Sequence, residues 1–190
     1  TVQPQDLAAL AIFGLPPAIG TSLAGRTGGY DLRKRSWSEE LFRRAAIDPA
    51  LFARPLRAGE FVGEIPSKIR THLGLAEGAV LVAGGHDQAL CALGCGIEHP
   101  GVASYVTGTV ECMAPVFEGL RLGPEMQANN FCCYESALPG KYLSIVFNFT
   151  GGSLLKWCRD QLWSELGDQA KAAGQDAYDL PLRGLPAEPT

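Results

Sequence analysis

The stretch from Ala79 to Gln88 limits the possible folds of this chain more than any other. Ala79-Val80-Leu81-Val82-Ala83 is a continuous apolar run, Gly84-Gly85 ends it, Asp87 follows, and Gln88–Leu93 has a helical pattern. A short apolar run closed by glycine suits a strand buried on both faces of a mixed or parallel sheet. A strand that turns through two glycines directly into a helix belongs to an α/β fold, where ligands gather at the carboxyl ends of strands.

Composition supports a folded domain and removes some function classes. The 190 residues are 46% hydrophobic and 19% charged, enough apolar material to offset ordering entropy. Twenty acids against sixteen bases give a formal charge of -4, which disfavours a general nucleic-acid binder. No apolar run is long enough to span a membrane, and no secretory signal opens the chain, so a cytoplasmic protein without membrane contacts is expected. The chain starts at Thr1 rather than Met and is expected to be a piece of something longer. Six cysteines, Cys91, Cys95, Cys112, Cys132, Cys133 and Cys158, are expected to be reduced and to behave as small hydrophobes.

Upstream of the apolar run the chain reads as helix and loop. Gln5–Phe13 is a short helix with Pro4 at its first turn, and Gly14–Gly29 reads as loop. Trp37–Ala46 reads as an amphipathic helix, with Ser36 and Glu39 as a capping box and Leu41, Phe42 and Ala45 inward. Asp48-Pro49 opens a further helical turn, and Pro66–Leu73 is a helix closed by Gly74. Downstream, Val102–Thr107, Glu111–Phe117, Asn130–Tyr134 and Tyr142–Phe147 read as strands. Ser153–Leu166 is the longest helix, with Leu154, Leu155, Trp157, Cys158, Leu162 and Trp163 on its apolar face, and the tail from Pro181 reads as extended.

Three glycine-bearing strand ends could carry chemistry. Asp87 reads either as a helix N-cap or as a general base beside a turn that lets a ligand approach, and Gln88 suits a hydroxylated ligand. Thr107-Gly108-Thr109 is either an ordinary hairpin turn or a holder of phosphate oxygens. Thr150-Gly151-Gly152-Ser153 is either a capped turn or an anion site at the start of the long helix. No Walker-type phosphate loop and no complete dinucleotide fingerprint is present. His86, Cys91, Cys95 and His99 can be drawn as a zinc set, but their surroundings make the cysteines read as core.

As a set, these pieces resemble the FGGY carbohydrate kinases. Arg26-Thr27-Gly28-Gly29-Tyr30-Asp31-Leu32 and Arg35-Ser36-Trp37-Ser38-Glu39-Glu40-Leu41 resemble the end of that family's first domain. Gly59-Glu60-Phe61-Val62-Gly63 is similar to its G-x-x-V/I-G element, and Val82–Gln88 to its Gly-Gly-x-Asp segment. Gly108-Thr109 matches the Gly-Thr turn of its nucleotide site, and Asn148–Asp160 its Gly-Gly…Trp helix. The likeness runs from about Gly20 to Trp163.

The resemblance implies an α/β, actin-like ATPase (ribonuclease H-like) fold, present in part and spanning the junction of the two kinase domains. Residues 1–88 would end the sugar-binding domain and 89–190 begin the nucleotide-binding one. It implies ATP-dependent phosphorylation of a sugar or polyol hydroxyl, with Mg²⁺ accompanying ATP. Asp87 would be the catalytic base and would also contact the substrate with Gln88. Gly108, Thr109 and Gly152 would lie at the ATP phosphates, assisted by Lys156. A homodimer is common among relatives. The family's N-terminal Asp-x-Gly-Thr loop and its Gly-rich adenosine loop have no counterpart here, so the 190 residues alone are expected to be inactive. Glu111, after Val110 where the family usually has Ser, has no assigned role. A non-catalytic sugar- or nucleotide-binding protein of the same fold is the alternative.

Overall fold

The computed structural model describes residues 3–179, so the tail from Pro181 lies outside the described residues. The chain forms two compact units. The first comprises the residues up to Ser104 together with Ala114–Val146, and the second Tyr105–Met113 together with the residues from Phe147 on.

The first unit opens with helix α1 (Pro4–Phe13), as the pattern predicts, and Gly14 closes it in the left-handed conformation at φ 67°. The region expected to be loop is instead structured. It holds strand β1 (Ala18–Gly20), the single turn α2 (Thr21–Ala24) and a 3₁₀ turn over Gly25–Thr27. Tertiary contacts override local propensity here, because Ile19 and Ala24 are buried with Tyr30 and Ala53 in one apolar cluster. β1 pairs in parallel with β4 (Arg54–Leu56), placing Gly20 opposite Leu56.

Trp37 is not in a helix. It pairs with Tyr30 across the short hairpin β2 (Tyr30–Asp31) and β3 (Ser36–Trp37), and its indole N–H donates to the Ala53 carbonyl at 3.0 Å. The next helix, α3 (Glu39–Ala45), therefore starts two residues late, and Ser38 rather than Ser36 caps it by accepting from the Leu41 amide. Phe42 is its one buried residue, whereas Leu41 and Ala45 are exposed, contrary to expectation. Phe42 instead joins Trp37 and Phe52 in a ring cluster with centroids 4.7–5.9 Å apart. Asp48 caps the 3₁₀ turn Pro49–Leu51, and α4 (Ser67–Leu73) ends at Gly74, both as expected.

The apolar run forms strand β6 (Val80–Val82), and its only strand partner among the described residues is β5 (Phe61–Glu64), in antiparallel register. It is not buried on both faces, since Val80 and Val82 are 45% and 48% exposed. α5 (Asp87–Gly94) follows the glycine turn.

A further sheet carries β7 (Ala103–Thr107), β8 (Glu111–Glu118), β9 (Tyr134–Glu135), β10 (Lys141–Leu143) and β11 (Val146–Asn148), in the order β11-β8-β10-β9 with β7 also on β8. The expected strand Asn130–Tyr134 shrinks to β9, because α6 (Pro124–Ala128) ends just before it and Asn130 takes a positive φ of 55°. The expected Tyr142–Phe147 strand is two strands. In the second unit the long helix is also two, α7 (Gly151–Gln161) and α8 (Ser164–Ala172). The amides of Leu162 and Trp163 both donate to the Cys158 carbonyl, at 2.8 and 3.1 Å, so the i→i−4 ladder loses register there. The expected apolar face does not pack: Leu154, Leu155, Trp157 and Leu162 are 41–63% exposed.

A buried ion pair fixes the β2–β3 turn against β9. Arg35, at a strained φ of 54°, places its Nε 3.0 Å from Glu135 Oε1, and the Glu135 side chain is 3% exposed. Beside it, burial first and the Glu135 carboxylate second push the Tyr30 hydroxyl pKa up to about 12. Arg35→Ala strands a buried carboxylate and is expected to cost about 2–3 kcal/mol, less than for a fully buried pair because Arg35 is partly solvated. Adding Glu135→Gln should recover most of that in urea unfolding. Equal destabilisation of the single and double variants would show that the pair does not hold the turn.

Candidate active site

The first unit holds Asp87 and Gln88. Gly20 at the end of β1 lies so close to the Gly84-Gly85 turn that a methyl group there would collide with the Gly84 carbonyl oxygen and sit 2.8 Å from Gly85 Cα. A methyl on Gly85 would sit 2.5 Å from Ser22 Oγ, and that hydroxyl accepts the His86 amide at 2.8 Å. Three glycines and one serine thus fix the entry to α5 through main-chain contact. Sequence reasoning missed Ser22 and its neighbour Thr21, both buried. The signal was the run of small and hydroxyl residues Gly20-Thr21-Ser22 in a segment read as loop.

The N-cap of α5 is His86, not Asp87: its Nδ1 accepts the Gln88 amide at 3.2 Å. Asp87 is the first helical residue, and its side chain is 83% exposed. Its Oδ1 accepts the Gln88 amide at 2.8 Å and lies 2.9 Å from His86 Nδ1. Burial holds the His86 pKa below the ordinary imidazole range, against the pull of the Asp87 carboxylate and with help from the Arg26 charge. Neutral His86 uses the Nδ1 lone pair on the Gln88 amide. Protonated His86 would instead donate to Asp87. The Gln88 Oε1 is buried and accepts no hydrogen bond among the described residues. The arrangement offers an exposed carboxylate able to take a proton and a buried carbonyl oxygen lacking a donor.

The second unit holds Gly108, Thr109, Gly152 and Lys156. Gly108 donates its amide to the Val110 carbonyl at 2.9 Å, and the Gly152 amide donates to the Gly108 carbonyl at 2.7 Å. Ser153 Oγ donates to the Thr109 carbonyl at 3.1 Å. The turn after β7 is therefore stitched to the first turn of α7. Glycine is required on the helix side. A methyl on Gly151 would lie 2.8 Å from the Val110 carbonyl carbon and 2.9 Å from Glu111 Cγ, and one on Gly152 would lie 2.8 Å from the Gly108 carbonyl oxygen. Glu111 thus packs against Gly151 and also hydrogen-bonds the Tyr105 hydroxyl, raising its pKa. With the amides of Gly108 and Gly152 already used, the donors left for an anion are on exposed Thr109 and on exposed Lys156, which makes no ion pair among the described residues.

A sequence model described as "FGGY family of carbohydrate kinases, N-terminal domain" matches residues 12–94, the segment that includes the whole Gly20–Gly85 contact and Asp87. This part of the chain is similar to the FGGY carbohydrate kinases. Over 165 residues it is 28% identical to a gluconokinase of Bacillus subtilis, covering 85% of this chain and 31% of that one. Over 83 residues it is 36% identical to a xylulose kinase of Streptomyces coelicolor, covering 44% of this chain and 17% of that one. A ligand-bound xylulose kinase structure from Lactobacillus acidophilus superposes with a TM-score of 0.74 at 19% identity, over 85% of this chain and 32% of that one. The fold is accordingly part of the α/β, actin-like ATPase fold of these kinases, and the chain spans about a third of the length of the gluconokinase it matches. No described helix is long and apolar enough to cross a membrane. The described residues contain no disulfide and no group of three or more His, Cys, Asp or Glu able to hold a metal ion.

Two outcomes test this geometry. Gly152→Ala should destabilise the chain by about 1–3 kcal/mol in urea unfolding. Gly94→Ala, where a methyl meets nothing within 4 Å, should be neutral or stabilising by up to about 1 kcal/mol. A lowered His86 pKa means that the unfolded chain binds its proton first. Stability should therefore fall as pH drops below about 6.5, and His86→Asn, which keeps a capping side chain, should lose less between pH 7.5 and 5.5. Identical pH slopes would show that the imidazole is not held neutral.

Proposed function

We propose that this chain is the central part of an ATP-dependent kinase that phosphorylates a hydroxyl of a sugar, sugar acid or polyol. Residues up to 88 serve the sugar side and those from 89 the nucleotide side. Asp87 takes the proton of the attacking hydroxyl as that oxygen meets the γ-phosphate, and Gln88 uses its unpaired Oε1 to accept from a substrate hydroxyl. The observation that carries this reading is the exposure of Asp87 at a turn fixed by main-chain packing. His86 supplies a cap, and the Asp87 carboxylate stays 83% exposed although its Oδ1 also accepts the Gln88 amide.

On the nucleotide side, Thr109 donates to the phosphates, Gly108 and Gly152 keep the turn thin enough for close approach, and Lys156 adds positive charge. Mg²⁺, when bound with ATP, neutralises phosphate charge. Phosphoryl transfer by this route rests on positioning and charge, and the chain's share is one base and one phosphate turn. The names of the similar proteins, gluconokinase and xylulose kinase, support an open-chain sugar or sugar acid as substrate. With about a third of the gluconokinase's length present, turnover is assigned to the longer protein and not to these 190 residues.

The test is sugar-dependent ADP release by the longer protein containing this chain, with gluconate, xylulose and glycerol as acceptors. Asp87→Asn should lower kcat by about 10²–10⁴-fold while leaving ATP affinity within about twofold. Undiminished turnover in that variant would remove Asp87 as the base. Sugar binding without ADP release in the wild type would favour a non-catalytic binding protein.

A further inference from the structure

Cys91 lies in α5, and Cys95, four residues on, is the C-cap of that helix. Residues at this spacing are neighbours on a helix surface. Their thiols are linked by a side-chain hydrogen bond, Cys91 is half-buried and Cys95 is exposed. The other four cysteines are placed differently. Cys112 and Cys133 are buried, Cys132 points its Sγ at the Ile145 carbonyl 3.9 Å away, and Cys158 lies half-buried on α7.

The backbone around the pair is able to give. In an ideal helix, Cβ atoms four apart are about 5–6 Å from one another, farther than the ~4 Å a disulfide needs, so closure requires movement at one end. Cys95 is the C-cap, already outside helical geometry at φ -83°, ψ 3°. It sits between Gly94, whose surroundings are open, and Gly96, which has a positive φ of 72°. Three main-chain hydrogen bonds close this end and must adjust: the Cys95 amide donates to the Cys91 carbonyl, the Gly96 amide to the Leu93 carbonyl and the Ile97 amide to the Ala92 carbonyl, each at 2.9 Å.

We propose that Cys91 and Cys95 form a redox-active dithiol that is closed to an intrahelical disulfide by exchange with a small-molecule disulfide. The exposed Cys95 thiolate attacks one sulfur of the small disulfide, giving a mixed disulfide and releasing one small thiolate. The Cys91 thiolate then attacks the Cys95 sulfur, forming the Cys91–Cys95 bond and releasing the second small thiolate. Two electrons pass from the two cysteine sulfurs to the small disulfide, and the protons of the two thiols end on the two small thiols produced. The contact with Cys95 holds the Cys91 thiol above the ordinary thiol range, which disfavours Cys91 as the first attacking thiolate. Closure would tighten the last turn of the helix that begins at Asp87. The inference stands on the thiol pair and does not depend on the role given to Asp87.

The test incubates the native chain with oxidised glutathione, blocks free thiols, reduces, and labels the cysteines that are released. Cys91 and Cys95 should be labelled together and ahead of Cys112, Cys132, Cys133 and Cys158, with the intact mass lower by two hydrogens. Cys91→Ser should instead trap glutathione on Cys95, and Cys95→Ser should leave Cys91 reduced. Circular dichroism of both variants confirms the fold, and Cys91→Ala replaces Cys91→Ser if the serine is not tolerated in the half-buried site. Wild-type protein that holds glutathione on Cys95 without closing, or that oxidises other cysteines first, would overturn the proposal.

Discussion

Contact between Gly20 and the Gly84-Gly85 pair is made by main chain alone, and the first unit is arranged around it. A strand end, a glycine turn and a helix start meet at distances that no side chain permits. Ser22 completes the junction by accepting the His86 amide, which would otherwise be an unsatisfied donor at the head of α5. Everything proposed for Asp87 follows from this. Its main-chain position is set by this junction, and its carboxylate, whose Oδ1 accepts the Gln88 amide, remains exposed. A reactive group placed by a rigid main-chain turn needs little reorganisation when a substrate arrives.

The second unit uses the same device with different residues. The Gly152 amide on the Gly108 carbonyl, and the Ser153 hydroxyl on the Thr109 carbonyl, join a strand-end turn to a helix start. This changes the roles expected of the glycines. Their amides are used inside the protein, so what they supply is thinness, and the donors facing outward belong to Thr109 and Lys156. Glu111, which had no assigned role, fills the space beside Gly151 and shares a hydrogen bond with Tyr105.

The elements legible in the sequence were those ruled by local chemistry. Helices α1 and α4 were read with the right ends because proline and glycine mark them, and Asp48-Pro49 marked its turn. The misreadings share one cause, which is long-range packing. Trp37 has a helical neighbourhood in sequence, but its indole is held by Ala53 and its main chain by Tyr30. The segment before Gly29 looked like loop because its strand and turn gain their stability from β4 and from the glycine turn at 84–85. The apolar run at 79–83 was read as buried from its composition, yet half of Val80 and of Val82 faces solvent. The candidate site was legible through its glycines, which mark close approach wherever they fall. Ser22 and the capping role of His86 were not legible, because each depends on a partner brought in by the fold.

The central claim is that Asp87 faces the sugar and the Gly108–Gly152 turn faces the nucleotide phosphates. Amide hydrogen exchange on the longer protein, read separately with a non-hydrolysable ATP analogue and with its acceptor sugar, tests it most directly. The account predicts that the nucleotide slows exchange across residues 107–110 and 150–153, and that the sugar slows it across 85–88. Nucleotide and sugar protection that leaves both segments unchanged would contradict it.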